Sequence, residues 1–491
     1  MIGLKNHGRV VIYTDADEIT RKNVVDVLRN AYNTHETENR NDIDYLYNYY
    51  KGNQPILERE KEVRPEICNR IVENCANEIV SFKVGYLMGE SVKYISRGHD
   101  DDKSLAKAIT ELNDYMLYED KATKDKELMD WSHICGTAYR MVLSDSTAQG
   151  YEDGSPFEIY TLDPRYTFVV YQNSLGNPPM MAVKYITRTD ENNIIRKIFS
   201  VYTKSAYYEI ENQHTDFKII AEKPNIIGIP IIEYPLNLAR LGSFETVLPL
   251  LDAINTVDSN RMDGVEQIVQ SLLLFHNVDI DEEGISKANE LGAIKFKDAS
   301  EVMRGEINYI TTTLNQNDTQ ILMDHLYSKV LTICGLPNRN GGSSTSDTGS
   351  AVIMRDGWSA AETRAKDTEA MFKKSEKAFL KCVLEICDSL ANMSLKLGSI
   401  EIKFTRRNYE NITEKANVLN LMLSNPKIAP QLAFAYCNMF PDPNIAYEMS
   451  QDYYKTMQEQ FNNQYQNEDG DADGEIITNK GSNSTNTIQY T

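Results

Sequence analysis

No stretch of this 491-residue chain carries the ~18–20 consecutive apolar residues that a bilayer span needs. The greasiest run, Ile226 to Ile232, is broken by Gly228 and Pro230. The opening residues Met-Ile-Gly-Leu-Lys-Asn-His-Gly lack the apolar centre of a secretory leader. The seven cysteines (Cys68, Cys75, Cys135, Cys334, Cys382, Cys387 and Cys437) are odd in number, scattered and never spaced Cys-x-x-Cys. That argues for reduced thiols in a cytoplasmic setting and against a zinc site. The seven histidines form no His-x-x-x-His pair, and no Gly-x-x-x-x-Gly-Lys-Ser/Thr loop is present to hold a nucleotide. Positive charge is short as well: 51 Lys and Arg stand against 72 Asp and Glu, a net charge of −21. A protein that grips phosphates shows a basic balance or patch, so tight nucleic-acid binding is disfavoured. An acidic surface repels a polyanion instead, although solubility is the simpler reason for the charge.

What remains is an ordinary globular composition, 41% hydrophobic and 25% charged, in a chain too long for one core. Two to four packed units are expected. Residues 1–63 read as a polar, partly helical arm. From Arg64, the spacing of Ile67, Ile71, Cys75, Ile79 and Phe82 predicts a helix, ended by Gly85 and Gly89. Two more helices are predicted at Ser104 to Tyr118 and Lys124 to Gly136. Thr137 to Tyr234 then turns to short β-rich runs, among them Phe157 to Leu162, Tyr166 to Tyr171 and Met180 to Ile186, separated by turn residues such as Asp163-Pro164. This predicts an antiparallel meander attached to helices, an α+β and mostly helical fold.

Ser243 is placed to cap a long helix running to Phe275, apolar at both ends and polar in the middle, where Asp252, Asn255, Asp258, Asn260, Arg261 and Asp263 follow one another. Such a helix needs partly polar neighbours or must bridge two bodies. His276 to Asn317 reads as a compact insert. A return helix follows, capped by Asp318, with Ile321, Leu322, Leu326, Val330 and Ile333 as its stripe and Gly335 and Pro337 as its stop. Ala351 to Leu397 reads as helical throughout with a kink at Gly357, and Ile400 to Phe404 as a strand. Helices at Thr413 to Leu423, Ala429 to Phe440 and Ile445 to Phe461 precede a polar tail, 462–491, expected to be disordered.

Between the return helix and the long one lies Asn338 to Ser350, Asn-Arg-Asn-Gly-Gly-Ser-Ser-Thr-Ser-Asp-Thr-Gly-Ser, with nothing that could join a core. A loop this long and polar inside a domain is a flexible connector or a functional element. Other constellations are weaker. Asp469, Asp471, Asp473 and Gly474 match half of a calcium loop, but Lys480 stands where a bidentate acid belongs. His99-Asp100-Asp101-Asp102 has no second acidic cluster and reads as a solvated turn, and Trp131, His133 and Cys135 read as core. No catalytic residue, metal site or cofactor is assigned.

Several segments together resemble a known family. Tyr49-Tyr50-Lys51-Gly52-Asn53-Gln54-Pro55-Ile56-Leu57, Asn69-Arg70-Ile71-Val72, Gly85-Tyr86-Leu87-Met88-Gly89-Glu90 and Gly136-Thr137-Ala138-Tyr139 are similar to the opening of siphophage-type portal proteins of tailed phages. Phe244-Glu245-Thr246-Val247 through Ser259-Asn260 resembles the start of the family's stem helix, and Leu336-Pro337 with Gly349-Ser350-Ala351 resembles the junction into its long helix. The resemblance implies a non-enzymatic ring, usually of twelve subunits, at one capsid vertex of the virion, assembled in the host cytoplasm. Double-stranded DNA passes through it without sequence specificity during packaging and ejection. The implied parts are a wing (64–238), a first stem helix (239–275), a clip (276–317), a second stem helix (318–337), a tunnel loop (338–350), a long helix with a return strand (351–410) and a crown (411–461). The implied partners are the terminase large subunit, a head-completion or adaptor protein, and the major capsid and scaffolding proteins. Asn338, Arg339, Asn340, Ser343, Ser344, Thr345 and Ser346 are expected to face DNA, and Asp252, Asp258, Asp263 and Glu266 to divide between the channel and the adjacent subunit. With Arg339 as its sole cation, the loop suits loose contact better than grip. The competing reading is a metal-dependent nucleic-acid enzyme or another, non-conduit virion protein.

Overall fold

The computed structural model describes residues 8–97, 103–144, 154–189, 195–213, 216–225, 227–269, 272–276, 278–279, 297–298, 306–310, 316–338, 357–405, 412–437, 439–440 and 443–468. The chain divides into two compact units, Met1–Arg407 and Asn408–Thr491.

The first unit holds β1 (Ile12–Thr14), α1 (Val24–Thr34), α2 (Asn41–Tyr50), α3 (Cys75–Leu87), β2 (Lys93–Ser96), α4 (Lys103–Tyr118), α5 (Lys121–Cys135), β3 (Thr137–Ser144) and β4 (Phe157–Leu162). A meander follows: β5 (Thr167–Gln172), β6 (Pro179–Thr189), β7 (Ile195–Thr203), β8 (Ala206–Gln213) and β9 (Asp216–Pro224), then β10 (Ile231–Pro235). The meander strands pair antiparallel in sequence order, and β1 adds to the β5 edge in parallel, Ile12 opposite Val170. Alternation along β6 to β8 aims Val183, Tyr185, Phe199, Val201 and Ile210 at one face, where α1 lays Val24, Leu28, Ala31 and Tyr32. The expected N-terminal arm is, from residue 8 on, packed into the first unit. β1 is part of this sheet, and α2 buries Ile43, Leu46 and Tyr49 in the main core. Three apolar residues at helical spacing suffice to dock a helix whose composition is otherwise polar.

A smaller sheet, in the order β10-β3-β4, carries the main core. Every residue from Thr137 to Val142 is buried, because α5 covers this strand and the long helix Trp358–Ala391 crosses it. At the joint between α5 and β3, Gly136 adopts φ +82°, and a Cβ there would lie 2.0 Å from the Arg240 carbonyl oxygen. Only glycine allows that approach. A strand at Ile400–Lys403 returns to pair antiparallel with β2. Four ions are sealed in this core. Arg140, 0% exposed, bonds Asp125 and Glu376, and Lys121 reaches the same two acids at 2.7 and 2.9 Å. The charges balance, and the Tyr94 and Tyr234 hydroxyls donate to Glu376.

Several boundaries move from their sequence positions. The helix predicted from Arg64 starts at Cys75, capped by Asn74, whose side chain accepts from the Asn77 amide. The helix from Ser243 consists of a 3-10 turn, Glu245–Val247, and α6 (Leu248–Val269). Leu272–His276 is instead strand β11, paired with Glu306–Ile310. Gly357, at φ +85°, is the N-cap of the long helix Trp358–Ala391, and residues 351–356, expected to be helical as well, lie outside the described residues.

The second unit packs the helices Ile412–Leu423, Pro430–Cys437 and Pro443–Glu468 around Leu419, Ala433, Phe434 and Cys437. Its last helix runs through Glu468, past the Asn462 start expected for the tail. The half calcium loop and the His99 to Asp102 cluster lie outside the described residues.

Candidate functional site

The polar centre of α6 is the unusual feature of the first unit, and its partner is a strap of non-helical chain, residues 59–74. The Asn69 amide donates to Asp263 Oδ1 at 2.7 Å, the Ile71 amide to Ser259 Oγ at 3.0 Å, and the Glu73 amide to Asn255 Oδ1 at 2.8 Å. The donors are every second residue of an extended chain, and the acceptors every fourth residue of a helix. Two extended residues advance roughly 6.6 Å and four helical residues about 6 Å, so the two periods stay in step over three rungs. Asn255 and Ser259 are fully buried and Asp263 is 3% exposed.

Both ends of the ladder are reinforced. Lys61 and Arg59 each reach Asp263 Oδ2 at 3.0 Å. Burial alone would raise the Asp263 pKa, but the Asn69 amides and these two cations outweigh it and hold the carboxyl below its usual range. At the other end, the Asn255 amide donates to Gln54 Oε1, and Tyr49 Oη donates to Asp252 Oδ1 at 2.8 Å. Burial raises the Asp252 pKa, and the Tyr49 hydrogen bond only partly offsets it.

The four predicted acids thus have distinct surroundings. Asp263 and Asp252 serve their own chain. Asp258 meets the Glu73 carboxyl, whose pKa is raised by burial first and by Asp258 second. Glu266 is half-exposed one turn beyond Met262, which is itself 42% exposed. Sequence reasoning missed the strap and the two acceptors Asn255 and Ser259. Their signal was the spacing Asn255, Ser259, Asp263, four residues apart on one face.

The return helix Gln316–Cys334 packs on α6, and Arg261 bridges to Gln320 Oε1 at 2.8 Å. It buries Met323, Val330, Leu331 and Cys334. The predicted stripe is split accordingly: Val330 faces inward, while Ile321, Leu322 and Ile333 are 67%, 47% and 45% exposed. Together with Met262 and Val265 of α6 they leave apolar side chains on the outside of the helix pair. Of the predicted DNA-facing residues, Asn338 is half-buried at the end of the described chain. Arg339, Asn340, Ser343, Ser344, Thr345 and Ser346 lie outside the described residues, as does most of 276–317. No group of three or more His, Cys, Asp or Glu among the described residues is arranged to hold a metal ion.

The family model of the phage portal proteins, SPP1 Gp6-like, matches residues 29–470. A solved structure described as the neck of an empty GTA particle computed with C6 symmetry aligns with 82% of this chain and 94% of that one, at 9% identity and a TM-score of 0.46. No curated protein matches the sequence.

Proposed function

The chain belongs to the SPP1 Gp6-like family of phage portal proteins, and from that premise we propose a head-to-tail ring of twelve copies that conducts double-stranded DNA in packaging and ejection. The portal is a structural part of the capsid vertex. The observation that carries the ring is the division of labour on the stem. The polar face of α6 is consumed by its own strap, while Met262, Val265, Ile321, Leu322 and Ile333 are left outward. Apolar side chains on a helix pair gain about 25 cal/mol per Å² when a neighbour covers them. One such contact repeated around a closed rotation makes a ring.

In this reading Asp258 and Glu266 are the stem acids left for the channel or the adjacent subunit. Repeated around the ring, they weaken adhesion of a passing phosphate backbone. The loop 338–350 contributes Asn338, Arg339, Asn340, Ser343, Ser344, Thr345 and Ser346 to the DNA-facing surface. The clip, 276–317, docks the terminase large subunit and then a head-completion or adaptor protein. Major capsid and scaffolding proteins surround the ring as it assembles in the host cytoplasm. Light scattering on purified protein tests the reading: wild type should run at many times the 55.9 kDa subunit mass, and the double variant Ile321→Asp, Leu322→Asp as a folded monomer. A variant that still forms rings would reject this face as the subunit contact.

A further inference from the structure

The second unit has a small core and a large apolar outside. Leu419, Ala433, Phe434 and Cys437 make the core, and Tyr447 closes on the Phe434 ring with centroids 5.8 Å apart. Outside it, two sets of large apolar side chains stand uncovered. Met449, Tyr453 and Met457, at 69%, 68% and 44% exposure, are four residues apart and form one row along the last helix, Pro443–Glu468. The charges of that stretch, Glu448, Asp452, Lys455 and Glu459, recur at spacings of four and three on another side, where Lys455 reaches Asp452 at 3.9 Å. The row itself is uncharged. Leu432 and Tyr436, at 59% and 76%, form the second set, one turn apart on Pro430–Cys437 and on the side away from Ala433, Phe434 and Cys437.

The last helix outruns its own unit. Every residue from Asp452 to Gln460 is exposed, over roughly two and a half turns and on all sides, so nothing in the described unit packs there. A segment this short, rich in Tyr and Gln and without alanine, does not hold a helix in water by propensity. Its helix needs a neighbour.

Magnitude decides which neighbour. An exposed aromatic offers on the order of 100 Å², so either set amounts to a few hundred Å². A stable free-standing complex takes about 800 Å² per partner. Neither set is large enough to hold a separate protein, but both suit an addition to a contact made elsewhere, where the partner is already at high effective concentration. A head-to-tail ring supplies that condition and requires two different faces on each copy. Uncharged faces also let identical chains, each at −21, meet without opposing like charges.

Resting on the ring reading above, we propose that Met449, Tyr453 and Met457 of one copy pack on Leu432 and Tyr436 of the next. This contact keeps the last helix folded beyond Gln451.

The test is hydrogen exchange on the purified full-length protein, with ring mass followed by light scattering. Amides from Asp452 to Gln460 should exchange at least about tenfold more slowly in wild-type rings than in the Ile321→Asp, Leu322→Asp subunit. Tyr453→Asp with Met457→Asp should keep the ring mass and lose that protection, and so should Leu432→Lys with Tyr436→Lys. Combining all four sets acid against base across the contact and should restore it. Equal protection in rings and in the monomeric variant would mean that the chain covers its own helix, and overturns the proposal. Wild-type rings left unprotected there, or protected only once DNA or a second protein is added, overturn it too, and the ring survives both results. A fourfold variant that stays unprotected overturns the pairing of these two faces. A wild type that remains monomeric removes the ring and this contact with it.

Discussion

The backbone amide of Asn69 and the carboxylate of Asp263 meet at 2.7 Å, across 194 residues of sequence. The Asn69 side chain donates to the same oxygen, and Arg59 and Lys61 share the second one, so one buried acid secures four groups of the strap. Asp263→Ala takes the acceptor from the Asn69 backbone and side-chain amides and one acceptor each from Arg59 and Lys61. A loss of about 2–4 kcal/mol is expected, read by denaturant unfolding of the subunit. Asp263→Asn keeps one acceptor oxygen and should fall between wild type and the alanine variant. Equal stability of all three would mean that the strap does not hold α6.

The buried quartet around Glu376 gives a pH dependence with a definite sign. Burial raises the Glu376 pKa, but Lys121, Arg140 and the two tyrosine hydroxyls overcome it and bring it to about 2 from an ordinary 4.5. A depressed carboxyl stabilises the fold fully above its unfolded value and loses that contribution as pH falls through the folded one. Wild type should therefore lose stability relative to Glu376→Gln between about pH 4.5 and about pH 2. At neutral pH the glutamine variant leaves Lys121 and Arg140 facing only Asp125 and should be less stable by about 3–5 kcal/mol. Thermal melts of both proteins across that range measure the difference.

The glutamate of the strap behaves in the opposite sense. The Glu73 carboxyl is raised by burial and by Asp258, so its ionisation near neutral pH opposes folding. Glu73→Gln is expected to raise Tm slightly at pH 7, the effect being small because the side chain is exposed and screened. The gain should vanish below pH ~4.5, where both states of wild type are protonated.

The loop proposal has its own test. Uncharged Ser and Thr hydroxyls offer weak, sequence-independent contacts to a duplex. Replacing Ser343, Ser344 and Ser346 by lysine adds up to three phosphate contacts per subunit and should slow packaging, with relief by added salt. Rings that assemble normally and package at an unchanged rate in low salt would remove the loop from the DNA path.

The clip is tested by deletion. Replacing 276–317 with a short Gly/Ser linker should abolish terminase docking and packaging while leaving the wing folded, as judged by the melting transition. Packaging that survives the deletion would place the docking surface elsewhere.

Much of the stretch 64–238 was legible because its signals are local. Phe157–Leu162 alternates and is bounded by turn residues, and the strand occupies those very residues. The helices α4 and α5 were placed within a few residues for the same reason. The strap was not legible. Ile67, Ile71 and Cys75 stand four apart, which a helix and an extended chain at every second pair of residues satisfy equally, and α6, the partner that decides between them, lies nearly two hundred residues away. The Leu272 to Phe275 run has no period at all, so it extended a helix on paper and a strand in space. On the return helix the apolar residues fall on two faces. A single sequence does not say which face a chain keeps for itself, and Ile321 and Leu322 proved to be the outer pair. Of the site, the acids of α6 were identifiable as a polar interruption, but their partners were not, because backbone amides leave no mark in a sequence.

The three rungs between strap and α6 also set how this part of the first unit yields under load. A pull along the helix axis stretches the bonds at Asn255, Ser259 and Asp263 together, so all three must fail at once. A pull across the axis opens them one after another, beginning at whichever end is less braced. The Asp263 end is braced by Arg59 and Lys61, and the Asn255 end by Gln54 and by Asn74, where the strap enters α3. The contact between strap and α6 is accordingly stiff in shear and weaker in peeling, and with both ends braced the middle rung, Ile71 to Ser259, is the one that stands without a charged or amide neighbour to back it.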